Sequence, residues 1–244
     1  MNTANPDRPL VKHPPQRLLG LAAIALAIAF NIPYAILASI YQYPDILRRP
    51  PGLALDLFAA GGDRLILTWY GFALAALAFM PLAVSLALQP RYTALAPALT
   101  IGAALAGSLS GMAQAIGLLR WVFVIPGLAA HYTDPAATDA VRLSAESGFS
   151  LLNAYGGVAI GEHLGQLLLV GFVLSLARLQ WLDGGRLTAL AGYLTAAALG
   201  FGTGEGLALA LGGSGDLFSL GTITGFLGLT VWLILTGVNA MRHR

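Results

Sequence analysis

The chain has 244 residues, 57% of them hydrophobic and only 10% charged, whereas a soluble domain carries roughly a quarter charged residues to cover its surface. Thirteen Lys and Arg against 11 Asp and Glu leave a formal charge of +2 with no basic cluster, so no nucleic-acid partner is expected. Cysteine is absent, which excludes disulfides, thiolate nucleophiles and cysteine metal sites.

Residues 1–17, "MNTANPDRPLVKHPPQR", are polar and proline-rich and read as a flexible cytoplasmic tail. The charge-free run Leu18 to Pro44 that follows is longer than the about 7–15 residues of a signal-peptide core, so it reads as a retained first helix. Between it and the next span, "YPDILRRPPGLALDLFAAGGDR" offers Pro50 and Pro51 to open a short helix. Leu53, Leu57 and Phe58 would form its apolar side with Asp56 turned away, on the membrane surface. The second span runs from Leu65 to Pro90 and the third from Tyr92 to Leu119. Beyond Arg120 about ten apolar residues are too few to cross again, and Pro126 with Gly127 should bend or end the helix. A fourth span, about Ser150 to Ala177, is interrupted by Glu162 and His163; a fifth, Leu187 to about Leu211, by Glu205; the last runs from Leu217 to Met241.

Each run suffices to cross a hydrocarbon core of about 30 Å, which takes about 20 helical residues. A single span in lipid satisfies its own backbone only as a helix. The fold class is therefore all-α: one polytopic bundle of six spans over residues 18–241, with short amphipathic helices on the outer face. Eight of the Lys and Arg residues fall on the side of the N-terminus and five, Arg48, Arg49, Arg64, Arg120 and Arg142, on the other, which places both termini in the cytoplasm. Tyr41, Tyr43, Trp69, Tyr70, Tyr92, Trp121 and Trp181 stand at span ends, where interfacial anchoring is expected. The two halves show no internal repeat.

Ionisable groups at bilayer depth mark functional sites or helix ties. On an α-helix turning about 100° per residue, with Glu162 at zero, Tyr155 falls at about 20°, Gln166 at about 40° and His163 at about 100°. All four share one side, beside a stripe of Gly157, Gly161 and Gly165 that lets a neighbouring backbone approach. Gln114 lies about 9 Å along the third helix from Arg120. Gln114, Arg120, Tyr155, Glu162, His163, Gln166 and Glu205 are the candidate lining of one outward-opening pocket, with His163, Gln166 or Arg120 as the partner of Glu162. The alternative for Arg120, beside Trp121 at a span end, is to snorkel to the interface.

No cofactor or metal is expected. His163 is the lone histidine deep in a span, and it diverges from Glu162 by about 100° with no third ligand evident. The glycines of "GFGTGEG", residues 200–206, lack dinucleotide-loop spacing and read as close helix packing, as do Gly107 with Gly111 and Gly221 with Gly225. Ser108, Ser110, Ser150 and Ser175 should bond back to their own helices.

In "YPDILRRP", "LTWYGFALAALAFMPLA", "GLLRWVFVIPGLA" and "GVAIGEHLG", taken in this order, the chain resembles an uncharacterised bacterial membrane-protein family, domain of unknown function 4386. The resemblance runs from the first span to the fifth. It implies a multi-pass bacterial inner-membrane protein and brings no catalytic residues. The functional expectation is binding, and by extension transport, of an amphiphilic small molecule or lipid within the lipid bilayer. The alternatives are an intramembrane acid–base enzyme using Glu162 and His163, and a non-catalytic subunit docked to a membrane-protein partner.

Overall fold

The computed structural model describes residues 16–242, so the greater part of the tail expected over residues 1–17 lies outside the described residues. Among the described residues all regular structure is helical: α1 (Arg17–Tyr41), α2 (Pro51–Ala87), α3 (Pro90–Leu95), α4 (Pro97–Phe123), α5 (Ile125–Thr133), α6 (Asp139–Leu152), α7 (Gly165–Leu182), α8 (Arg186–Gly202), α9 (Gly204–Ala210) and α10 (Asp216–Arg242). A 3-10 turn, Asp45–Arg48, follows α1, and a π-helical segment, Asn153–Leu164, joins α6 to α7 without a break. Six helical stretches are long and apolar enough to cross a membrane, so the chain is a multi-pass membrane protein.

The spans pack in chain order. α1 lies against α2, α2 against α4, α4 against α7, α7 against α8, α8 against α10, and α10 returns to α1. The result is a closed ring. Small residues set its seams: a Cβ at Gly117 would stand 2.8 Å from the Gly161 Cα, and Gly225 receives the Leu199 side chain. Gly20 meets Gly237 where α1 begins and α10 ends, so both termini lie at one end of the ring, called here the termini end.

Two apolar clusters fill the ring unevenly. The first, with Leu26, Phe79, Leu86, Phe172, Leu176, Trp232 and Leu233, closes the termini end. There Trp232 Nε1 donates to Gln180 Oε1 (3.2 Å) and Gln180 Nε2 to Thr236 Oγ1 (3.0 Å), satisfying polar groups that hydrocarbon would penalise. The second sits at the far end on the α1, α2 and α4 side, with Leu37, Tyr41, Leu55, Phe58, Trp69, Trp121 and Phe149. Trp69 and Trp121 stack there with centroids 4.9 Å apart and planes 8° from parallel.

That second cluster corrects two expectations. Tyr41, Trp69 and Trp121 are buried in it, and Tyr92 in the first cluster, so all four act as core rather than as interfacial anchors. The helix opened by Pro51 exists, yet it is the first arm of α2, parted from the span by Gly62, whose φ of 56° and ψ of −153° only glycine adopts without strain. The arm leans on α5, burying Leu55 and Phe58 while Leu53 faces out and Asp56 stays exposed. Leu55, two residues on from Leu53 and so on the opposite side of the helix, joins the cluster of Tyr41 and Trp121, where α5 folds back beneath the arm. Helix α4 ends at Phe123, capped by Val124, just before the Pro126 expected to stop it.

Gly117→Val should lower stability by about 1–3 kcal/mol, because backbone rather than a yielding side chain faces the added carbons. Gly102→Val, whose Cβ meets open space, should leave the thermal unfolding of the detergent-solubilised protein nearly unchanged.

Candidate functional site

The side chains that plug the termini end stop short of the far end, and the ring encloses a cavity of about 540 Å³ between the two clusters. Along α10 its lining runs from Asp216 to Leu233, about 25 Å of helix at 1.5 Å per residue. Every span contributes to the wall, the fifth through Glu205 of α9 and not through α8. The floor is apolar, with Ala27, Phe79, Leu169, Leu229 and Leu233; the mouth at the far end is charged, with Asp45, Arg48, Arg49, Glu162, Glu205 and Asp216.

Arg48 organises the mouth. Its Nη2 stands 2.5 Å from Glu162 Oε2 and 2.9 Å from Glu205 Oε1, and its Nε donates to the same Glu205 oxygen at 3.1 Å. One guanidinium thus joins the turn after α1, the π segment and α9. Burial opposes the charge on Arg48, but Glu162 and then Glu205 outweigh it and hold the pKa above that of an ordinary arginine. Burial raises the neighbouring Tyr43 phenol, and Glu162 adds to the rise.

Arg120 lies deeper in the wall, only 9% exposed. It donates through Nη1 to the Gly117 carbonyl and through Nη2 to Asn153 Oδ1 at 3.1 Å, while its guanidinium lies 5.0 Å from the Trp121 ring centre. Asn153 in turn donates to the Leu47 carbonyl at 3.1 Å, tying this arginine to the turn that carries Arg48. The snorkelling alternative is therefore overturned: a Cβ at Gly157 would collide with the Arg120 guanidinium, so the glycine stripe makes the room in which the side chain stays inside.

Of the residues singled out from sequence, Gln114, Arg120, Glu162, Gln166 and Glu205 line the cavity. Gln114 Nε2 donates to Ser110 Oγ (2.9 Å), and Ser110 donates across to the Gly165 carbonyl (2.8 Å) instead of to its own helix. Ser108 and Ser150 do bond back, to Ala104 and Glu146. Tyr155 and His163 do not belong to the lining. Tyr155 is 68% exposed, because the π segment closes its turns i to i+5 and rotates less per residue than an α-helix. A separation that returns to the same side of an α-helix therefore carries Tyr155 away from Glu162. His163 Nδ1 donates to the Thr203 carbonyl at 3.0 Å and packs against Gly206, at the break between α8 and α9. It is a tie between helices, and the pair expected with Glu162 is not formed.

Sequence reasoning missed Arg48, Asn153 and the amide of Asn31, which donates to the Thr230 hydroxyl at 2.9 Å on the cavity wall. A signal for Arg48 existed: Glu162 and Glu205 are two acids within spans against one base, Arg120, and "ILRRP" supplies a cation at the same end. Among the described residues no three His, Asp or Glu side chains converge as metal ligands. Compared with family models, curated proteins and solved structures, the chain matches none.

Arg48→Met leaves two carboxylates facing each other and should cost about 1–3 kcal/mol, between the values for exposed and fully buried pairs. Adding Glu162→Gln to that variant should recover part of the loss, and a double-mutant cycle of thermal unfolding measures the recovery.

Proposed function

We propose that the protein binds one amphiphilic molecule, a lipid or a lipid-like compound, with its head group at the charged mouth and its apolar part in the shaft below. In this reading the protein sits in a bacterial inner membrane with both termini in the cytoplasm, so the mouth faces outward, and carriage of the amphiphile across the bilayer is the extension of binding. The observation that carries the reading is the change of polarity along one continuous cavity, from Arg48, Glu162 and Glu205 at the mouth to Phe79, Leu229 and Leu233 at the floor. Left empty, a void of this size would cost on the order of 10 kcal/mol, comparable to the whole stability of a domain. Water can fill the mouth; the apolar floor calls for hydrocarbon.

The charges narrow the head group. Three arginines, Arg48, Arg49 and Arg120, and four carboxylates, Asp45, Glu162, Glu205 and Asp216, line the cavity and nearly balance. A strongly anionic or strongly cationic head would leave part of that set opposed. A zwitterionic or uncharged polar head fits both signs. The acid–base reading lacks comparable support, since His163 is engaged by Thr203.

The protein isolated in mild detergent should carry one amphiphile-sized mass by native mass spectrometry, or take up added phosphatidylethanolamine. Ala27→Phe, which fills part of the floor, should lower that occupancy about tenfold, equivalent to roughly 1.4 kcal/mol. A wild-type chain that stays bare and takes up no added lipid would overturn the proposal.

A further inference from the structure

We infer that the cavity also opens sideways, through a cleft between α1 and α10, into the hydrocarbon of the bilayer, and that its occupant is a bilayer lipid whose acyl chain passes through that cleft. This rests on the amphiphile reading above and names the source and route of the ligand.

The seam between α1 and α10 is closed over only part of its length. From the termini end it is packed by Gly20 against Gly237, with Ala23 and Ile24 beside them, up to the hydrogen bond from Asn31 to Thr230. Toward the mouth, the residues next in line are Tyr34 on α1 and Phe226 and Ile223 on α10. All three line the cavity.

The rotation of α10 shows where the wall gives way. Gly221, Gly225 and Gly228 receive α8, whereas Leu220 and Val231 stand exposed on the outer face. At about 100° per residue, Ile223 and Leu227 fall between that outer face and the cavity face of Phe226 and Leu233, on the edge turned away from α8. They line the cavity and are at the same time 37% and 57% exposed. Since α8 gives no residue to the lining, the gap lies on the α1 side.

Depth and volume identify what passes. Leu227 lies about 16 Å along α10 from Asp216, within hydrocarbon rather than at the water boundary. The gap is apolar at that depth and continues through Ser219 to the charged mouth, so a lipid could slide in with its head travelling along the mouth and its chain through the cleft. A cavity of about 540 Å³ lies within the roughly 300–1,000 Å³ of a site for one drug-sized molecule. That volume suits one acyl chain, and a two-chain lipid must then leave its second chain outside, which only a lateral opening permits.

The full chain, reconstituted in phosphatidylcholine vesicles doped with phosphatidylcholine bearing a diazirine midway along one acyl chain, tests the route after illumination by mapping adducts with mass spectrometry. Adducts are expected on Phe79 and Leu229, which are 2% and 5% exposed and out of reach of lipid surrounding the ring. Ile223→Trp or Leu227→Trp should reduce these inner adducts about tenfold, equivalent to roughly 1.4 kcal/mol, with labelling of Leu220 and Val231 unchanged. Leu227→Ala, which widens the cleft, should not reduce them. Inner adducts that persist undiminished in both tryptophan variants would overturn the lateral route. Labelling of Phe79 and Leu229 by decylphosphocholine carrying the same diazirine and added from water, but not by the vesicle lipid, would overturn the route while leaving the amphiphile reading standing. Absence of inner adducts with either probe would overturn both.

Discussion

Six apolar helices packed each against its neighbours in sequence must either splay or close, and in this chain the contact of α1 with α10 closes them. A closed ring of six has a middle that side chains must fill. The seams here are made with glycine and alanine, at Gly117 with Gly161, Gly107 with Ala83 and Gly20 with Gly237, which brings the helices close but leaves little volume to project inward. Larger residues such as Phe79, Phe172 and Trp232 fill the termini end. Toward the far end the aromatic residues are drawn to one side, around the stacked Trp69 and Trp121, and the cavity is the space left over.

Charge placed in that space has to be balanced locally, because desolvation penalises a lone ion by several kcal/mol. Arg48 meets this requirement for both Glu162 and Glu205, and the geometry needs three separate chain segments to be correctly placed at once. Arg120 meets it differently, with carbonyl and amide oxygens and the face of Trp121 rather than a direct carboxylate partner. The π segment serves both arrangements. Its wide turn points Glu162 at Arg48, and its glycines, Gly157 above all, vacate the volume that the Arg120 guanidinium occupies. Segments of this kind are uncommon and concentrate at functional sites.

Much of the fold was legible along the chain. Four spans follow from runs of charge-free residues and two from apolar runs interrupted by Glu162, His163 and Glu205, and the stop at Pro126 and the start at Pro51 follow from proline's missing N–H and fixed φ. Five of the seven candidate site residues, Gln114, Arg120, Glu162, Gln166 and Glu205, meet at one cavity because polar groups in a membrane have few places to go except inward. Tyr155 and His163 did not follow, since their placement was read from an α-helical rotation that the π segment does not keep. Trp69, Tyr41 and Trp121 likewise fit an interfacial pattern by position, and only the backward fold of α5 and the α2 arm over them makes them core.

What the sequence by itself determined is the medium and the covalent order: hydrophobic runs too long and too poor in charge for water, and therefore helices that cross and return. Tertiary structure alone decided the partner of each buried charge. Arg48 stands 114 residues from Glu162 and 157 from Glu205 along the chain, and electrostatic pairing depends on distance in space, which the closure of the ring sets and local spacing does not.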